Sequence, residues 1–169
     1  ILDVLHGFGI GVRIENLRES SGEPVADIAV SGTRSEPANV DNSLRGKIIA
    51  NLIDEIPILA VLGTQLKNGL EVRDAGELRV KESDRIAAVA ENLRRMNAEI
   101  EEYPDGFRVG RSKLKGAKID SFGDHRIAMA FGIAGLFADG ETEIVGADCV
   151  DVSFPDFFDL LSHVAGQNK

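Results

Sequence analysis

The sequence contains a single cysteine, Cys149, among its 169 residues. One cysteine cannot form an intramolecular disulfide or a site built from several thiolates, so we expect neither a disulfide framework nor a thiolate metal site. A reducing, cytoplasmic environment is the simplest interpretation of this cysteine usage. We also expect no secretory signal peptide, because no segment shows the composition of one.

Long apolar runs and an excess of basic residues are also missing. The longest apolar stretch, residues 127–138, is too short to cross a bilayer, so we expect no membrane span. The 19 lysine and arginine residues are outnumbered by 28 aspartate and glutamate residues, which gives a formal net charge of −9. This balance argues against a surface that binds nucleic acid or anionic membranes.

The remaining composition is that of a globular protein, with 43% hydrophobic and 28% charged residues. A chain of this length can bury a substantial core, so we predict a single domain over residues 1–169. The sequence opens without a methionine, and its first eight residues resemble the last turns of a helix. We therefore expect the chain to be part of a longer protein.

The highest local density of charge lies in the heptad Arg79–Arg85, which reads Arg-Val-Lys-Glu-Ser-Asp-Arg. Apolar residues follow it at helical spacing, which predicts an amphipathic helix from Ile86 to Met96. Acidic residues suit the first turn of a helix, whereas cations there oppose the helix dipole. Cations beside free backbone N–H groups favour a phosphate or carboxylate ligand. The plain alternative is a solvated, capped helix start, since charge at helix ends is common.

An internal repeat of roughly 70 residues connects this heptad with a second charged helix start, Asp124–Arg126. Each copy is predicted to contain an apolar helix, a glycine-containing turn, a strand, a polar loop and a second helix. Such units complete each other's core, and their equivalent helix starts, including Asp54, are predicted to face one cleft. The matched segments are 54–61 with 124–131, and 70–72 with 142–144.

The hydrophobic pattern predicts an α/β fold in which two apolar helices, over residues 53–66 and 125–137, are buried. A final amphipathic helix over residues 154–164 is predicted to turn Phe154, Phe157, Phe158 and Leu161 inward. Residues 16–24 are predicted to be a loop and residues 31–45 an exposed connection. Strands are predicted at 11–15, 25–30, 70–74, 99–103, 106–109, 119–122 and 142–145, with a turn at Pro104-Asp105-Gly106.

Four segments closely resemble the EPSP synthase family, the 3-phosphoshikimate 1-carboxyvinyltransferases. They are Leu78–Arg85, Asp124–Met129, Ser153–Phe157 and Leu52–Glu55. The resemblance covers essentially the whole chain in the family's order and spacing. It implies an enolpyruvyl-transferase-like domain of repeated βαβαββ units around buried helices, assigned to α/β or, in some schemes, α+β. The chain would be most of the C-terminal domain, about two and a partial units, without the N-terminal domain.

The resemblance also implies a reaction. The enolpyruvyl group of phosphoenolpyruvate moves onto the 5-hydroxyl of shikimate 3-phosphate, and inorganic phosphate is released without a metal or organic cofactor. The complete enzyme would be a cytoplasmic monomer whose partners are these two small-molecule substrates, with no role for nucleic acid or membrane. The missing N-terminal domain would supply the other wall of the active site.

Site residues follow from the same resemblance. Arg85 and Arg126 match arginines that bind phosphoenolpyruvate, which carries a phosphate and a carboxylate. Asp54 matches a proton acceptor that also contacts the shikimate hydroxyls. Lys81 matches a lysine that contacts the shikimate phosphate, and Glu82 matches a proton donor or acceptor of the addition step.

Two positions depart from the family pattern. Glu77 stands where many relatives have a substrate-contacting asparagine, and it is retained as a candidate substrate-binding residue. Val152 stands where some relatives have a lysine that binds phosphoenolpyruvate, so one expected cation is missing.

Two alternatives remain open from the sequence. The related UDP-N-acetylglucosamine enolpyruvyl transferases share the fold and chemistry, but they lack the heptad as it is written here. The other alternative is an isolated half that binds anions and turns nothing over alone, because an active site between domains needs both walls.

Overall fold

The computed structural model describes residues 1–31 and 42–166. Its contacts divide the chain into a hairpin unit, Ile1–Asp41, and a main unit, Asn42–Lys169. Each unit is described by itself. None of the helices in the described ranges has the length and apolar character that a membrane crossing needs.

The hairpin unit contains one short helix and a two-stranded antiparallel sheet. Helix α1 spans Leu2–Gly7, strand β1 spans Gly11–Ser20, and strand β2 spans Glu23–Ser31. The predicted loop over residues 16–24 is wrong at both ends, because β1 continues to Ser20 through mostly polar residues that are exposed on both faces, and β2 begins at Glu23. Only Ser21 and Gly22 form the turn, and both have positive φ, as a two-residue hairpin turn of type I′ requires.

The main unit alternates strands and helices. The strands and helices are β3 (Ser43–Leu44), α2 (Ile48–Leu52), α3 (Ile56–Gly63), β4 (Leu70–Val72), α4 (Arg85–Arg95), β5 (Ile100–Tyr103), β6 (Gly106–Val109), β7 (Lys118–Asp120), α5 (His125–Gly135), β8 (Glu143–Val145) and α6 (Phe157–Gly166). A 3₁₀ helix, Gly76–Val80, precedes α4, and a second one, Ala147–Val152, precedes α6.

Two sheets carry these strands. The first is four-stranded in the order β3-β4-β6-β5, with β3 parallel to β4 and the other pairs antiparallel. The second pairs β7 with β8 in parallel. Leu44, in β3, is buried, so the predicted exposed connection is wrong at this end, and residues 32–41 of that prediction lie outside the described ranges.

The order of elements confirms the predicted repeated α/β architecture. The central repeat, β3 to β6, has the succession βαβαββ when α2 and α3 are counted as one interrupted helix, and the last repeat, β7 to α6, follows the same order as far as its second helix. A left-handed residue follows the second strand of each repeat, namely Asp74 with φ 59° and Gly146 with φ 70°. The Asp74 carboxylate accepts a hydrogen bond from the Gly46 backbone N–H at 2.8 Å.

The core of the main unit is formed by α3 and α5, which pack against each other. The prediction of two buried apolar helices is therefore confirmed. The helix predicted over residues 53–66 is too long at both ends, because residues 53–55 form a turn and α3 ends at Gly63, and α2 was not predicted. Pro57 lies in the first turn of α3, where its missing N–H group costs no hydrogen bond.

The two amphipathic helices differ in burial. Helix α4 buries Ile86, Val89 and Leu93, as its spacing predicts. In helix α6, the rings of Phe157 and Phe158 pack against Gly132 of α5, but none of the residues of α6 is buried. Phe154 is 41% exposed, which contradicts its predicted inward position. No other element of the described chain covers this side of α6 extensively.

Candidate active site

Three helix starts of the main unit meet at the guanidinium group of Arg85. This side chain is only 1% exposed. Its Nη1 donates to Asp54 Oδ1 at 2.9 Å, and its Nη2 donates to Glu82 Oε2 at 2.5 Å. Its Nε donates to Asp124 Oδ2 at 2.8 Å. Asp54 lies just before α3, Arg85 begins α4, and Asp124 caps α5, so the repeat brings its equivalent ends together.

Asp124 is the buried partner of Arg85. Its carboxylate accepts hydrogen bonds from the Ser83 hydroxyl at 3.0 Å and from the Arg126 backbone N–H at 2.9 Å, which caps α5. Burial by itself would raise the pKa of Asp124, but the bonds and charge of Arg85, followed by the bonds from Arg126 and Ser83, outweigh it and lower that pKa. Asp124 is therefore held as a carboxylate.

The pKa of Arg85 reflects the same balance from the cationic side. Burial of the guanidinium works to lower this pKa, but hydrogen bonds to Asp124 and Asp54 and the charge of Glu82 outweigh it and raise the pKa. A buried arginine needs paired acceptors of this kind, since an unpaired buried charge is costly.

Arg126 lies on the solvent side of this network. Its Nη2 is 3.2 Å from Asp54 Oδ2, and its Nη1 donates to the Asp54 backbone oxygen at 3.2 Å. The Asp54 carboxylate is thus shared between Arg85 and Arg126. Because Arg126, Asp54 and Glu82 are partly exposed while Arg85 is buried, a ligand reaches the first three more easily.

A cavity of about 190 Å³ adjoins Asp54 and Arg126 between α3 and α5. Its other lining is mostly apolar: Pro57, Ile58, Met129, Ala130, Ile133 and Phe157. The charged pair therefore has a low-polarity surface beside it, where electrostatic interactions are screened less than in open water.

Lys81 pairs with Glu77. Its ammonium group lies 2.7 Å from Glu77 Oε1, so the glutamate neutralises the charge of the lysine. Val152, at the end of the second 3₁₀ helix, is 83% exposed and supplies no charge.

The charges of the network do not favour an anion by themselves. The carboxylates of Asp54, Glu82 and Asp124 face the guanidinium groups of Arg85 and Arg126, which leaves one excess negative charge. The Lys81–Glu77 pair adds no net charge. A phosphate would have to displace a carboxylate here or use cations outside this network.

The structure brings the candidates Asp54, Glu82, Arg85 and Arg126 into one network and joins Lys81 to Glu77. Their individual roles stay predictions. Sequence reasoning did not assign Asp124 a part in the site, although the Asp124–Arg126 motif marked its helix start. The bond between Arg85 and Asp124 spans 39 residues, and only the repeat pointed to their proximity.

Repeated βαβαββ units whose helix starts gather arginines and carboxylates define an enolpyruvyl-transferase type of protein. The family model for EPSP synthase (3-phosphoshikimate 1-carboxyvinyltransferase) matches residues 2–161. The chain belongs to the EPSP synthase family, which confirms the prediction from its motifs.

Individual relatives agree with this membership. The 3-phosphoshikimate 1-carboxyvinyltransferase of Koribacter versatilis (strain Ellin345) is 52% identical over 166 residues, which is 97% of this chain and 38% of that protein. The enzyme of the same name from Solibacter usitatus (strain Ellin6076) is 49% identical over 98% of this chain and 38% of that protein.

A solved structure agrees as well. The EPSP synthase of Acinetobacter baumannii shares 34% identity with a TM-score of 0.86, covering 97% of this chain and 38% of that one. The chain thus spans about 38% of the length of the relatives it matches.

Proposed function

We propose that the complete protein containing this chain transfers the enolpyruvyl group of phosphoenolpyruvate to the 5-hydroxyl of shikimate 3-phosphate. The observation that carries the proposal is the convergence of Arg85 and Arg126 on Asp54, in a chain of the EPSP synthase family. The products are 5-enolpyruvylshikimate 3-phosphate and inorganic phosphate. The complete protein acts as a cytoplasmic monomer.

The reaction needs fixed cations for a substrate with two anionic groups. Arg126 is partly exposed and offers N–H donors to the phosphate or carboxylate of phosphoenolpyruvate. Arg85 is buried and already satisfied by carboxylates, so a substrate oxygen binds it only by displacing Glu82 or Asp54. Glu82 is the easier to displace because the Asp54 carboxylate is also paired with Arg126.

The reaction also needs proton transfer. The 5-hydroxyl oxygen bonds to C2 of phosphoenolpyruvate while a proton is added to the C3 methylene, and the hydroxyl loses its proton. The bond from C2 to the phosphate oxygen then breaks, a proton is removed from C3, and the double bond between C2 and C3 forms again. We assign Asp54 to the shikimate hydroxyls as proton acceptor and Glu82 to proton exchange at C3. Lys81 binds the shikimate phosphate once it separates from Glu77.

The rest of the protein completes the charge balance. Since the described network carries one excess negative charge, two anionic substrates need cations from the part of the protein outside this chain. We therefore expect the isolated chain to be inactive, as the half-site alternative holds.

A chimera tests the proposal. The matched segment of the Koribacter versatilis protein is replaced by this chain, and phosphate release is measured with both substrates and with each omitted. We expect release only with both substrates, and none from this chain alone. An Arg126→Met chimera should lose most activity, while the exposed Arg111→Met variant serves as the matched control.

Two results would contradict the proposal. The assigned reaction would be refuted if the chimera folds but shows no transfer activity under conditions in which the parent Koribacter versatilis protein is active. Substrate-dependent phosphate release by this chain alone would refute the inference that the site is incomplete.

A further inference from the structure

Arg79 is the most extensively bonded side chain near the site that the proposed chemistry does not use. Its Nε donates to the Pro104 backbone oxygen at 2.7 Å, and its Nη2 donates to the Tyr103 backbone oxygen at 2.6 Å and to Glu102 at 3.1 Å. Its Nη1 donates to Asp84 Oδ2 at 2.8 Å. One guanidinium group therefore connects the β5–β6 turn with the start of α4.

The bond from Arg79 to Asp84 closes a short segment of chain. Arg79 lies near the end of the first 3₁₀ helix, and Asp84 is the N-cap of α4, where its Oδ1 accepts from the Ala87 backbone N–H at 3.0 Å. Residues 81–84 between them belong to no helix or strand. Lys81 and Glu82 are in this segment, so the ion pair holds together its two ends.

The other end of the guanidinium is fixed by a rigid element. Strands β5 and β6 pair with each other, and β6 pairs with β4 through Phe107, which is fully buried. Two carbonyl acceptors set the plane of the Arg79 group, a geometry that a lysine cannot reproduce. The pKa of Arg79 is raised, first by its hydrogen bond to Asp84, so the group stays charged.

We propose that Arg79 is a positioning residue that fixes the Lys81–Asp84 segment for catalysis by anchoring it to the β5–β6 turn. This inference rests on the proposed function, and Arg79 itself touches no substrate. The bonds of Arg85 to Asp54 and Asp124, and of Arg126 to Asp54, do not involve Arg79. Loss of Arg79 thus displaces Lys81, and more weakly Glu82, and leaves the phosphoenolpyruvate arginines in place.

The kinetic test uses the active chimera with Arg79→Met and Arg79→Lys. Misplacement of catalytic groups by about 1 Å costs on the order of 100-fold in rate. We expect a drop in kcat of about this size for Arg79→Met, a smaller drop for Arg79→Lys, and a raised KM for shikimate 3-phosphate. The KM for phosphoenolpyruvate should stay within about twofold, because Arg85 and Arg126 do not depend on Arg79.

Arg94→Met is the matched control. Arg94 also pairs with Glu102, at 3.6 Å, but it lies near the end of α4 and makes no bond to the Lys81–Asp84 segment. We expect its kinetics to match those of the unsubstituted chimera. Equal effects of Arg79→Met and Arg94→Met, or a rise in the KM for phosphoenolpyruvate that matches the loss of kcat, would overturn the proposal.

Amide hydrogen exchange gives a readout that needs no turnover. In the Arg79→Met protein, the Ala87 amide, which donates to the Asp84 carboxylate, should exchange at least about tenfold faster, while the amides of Val89–Leu93 stay protected. Unchanged exchange at Ala87, or an equal loss of protection throughout α4, would refute positioning. Arg79→Lys serves if Arg79→Met does not fold. Because exchange does not depend on the reaction, an inactive parent chimera would refute the proposed function separately.

Discussion

Helices α4 and α6 hold equivalent places in two repeats, yet only one of them is buried. Helix α4 follows a 3₁₀ helix and buries Arg85, Ile86, Val89 and Leu93, among others. Helix α6 also follows a 3₁₀ helix and carries apolar residues at helical spacing, but Leu160 is 50% exposed and none of its residues is buried.

The difference lies in what surrounds each helix. Helix α4 packs against the β5–β6 hairpin and against α3 and α5, whereas within the described residues α6 packs mainly against α5. An amphipathic pattern therefore specifies which face of a helix is to be covered, and a neighbouring element is still needed to cover it.

A buried charge also distinguishes the two helices. Helix α4 begins with Arg85, whose guanidinium is tied to Asp54, Glu82 and Asp124. Helix α6 begins with Phe157 and is held by ring contacts with α5. The helix that carries the site is thus fixed at its start by ion pairs and along its length by packing.

Of the substitutions that test the difference between α4 and α6, Arg85→Met should lower the unfolding free energy the most. The substitution leaves Asp124 buried without its cation, and breaking a buried pair in this way costs about 3–5 kcal/mol of unfolding free energy. Urea denaturation of the chain measures this cost. The control, Arg95→Met, removes an exposed pair with Glu91 on the same helix and should cost about 0–1 kcal/mol.

A double substitution separates the causes. Arg85→Met with Asp124→Leu removes both buried charges and should recover much of the lost stability. If Arg85→Met costs no more than Arg95→Met, the ion pairs do not fix the start of α4.

The next effect compares the same truncation in both helices. Leu93→Ala removes a fully buried side chain from α4 and should cost about 2–5 kcal/mol. Leu160→Ala removes a half-exposed side chain from α6 and should cost about 0.5 kcal/mol or less in this chain. Urea denaturation again measures both variants, and equal costs would show that α6 is packed in solution.

The smallest effect concerns pH. Because the pKa of Asp124 is lowered in the folded chain, its stabilisation is fully present above the ordinary aspartate value of about 4 and is lost as pH falls through the folded value. The unfolding free energy should therefore decrease on acidification, and less steeply in Asp124→Asn than in the unsubstituted chain. Urea titrations at several pH values test this. If the unfolding free energies of the two proteins depend on pH in the same way, Asp124 does not contribute to the loss of stability in acid.

Local signals predicted much of the fold. The spacing of Ile86, Val89 and Leu93 predicted α4, and Pro104-Asp105-Gly106 predicted the β5–β6 turn because these residues favour tight turns. The repeat predicted that the helix starts carrying Asp54 and Arg126 would face one cleft, and the two side chains lie 3.2 Å apart.

Other features depend on contacts that no local pattern encodes. The burial of Arg85 needs Asp124, and nothing in the heptad distinguishes this arginine from an exposed one. Strand β1 continues past Glu15 because β2 pairs with it, although most of its own residues there are polar. Phe154 is exposed because no described element packs extensively over this end of α6, and the apolar side chain alone does not predict whether a neighbouring element covers it.

The left-handed residues Asp74 and Gly146 bear on any exchange of modules between the repeats. Glycine adopts this backbone freely, whereas the Asp74 carboxylate accepts a hydrogen bond from the backbone N–H of Gly46, which precedes α2 in the sequence. A graft that moved β4 and its following bend into another member of the family would separate these two residues. The transferred segment must contain both Gly46 and Asp74, so the smallest segment that can be exchanged begins before α2.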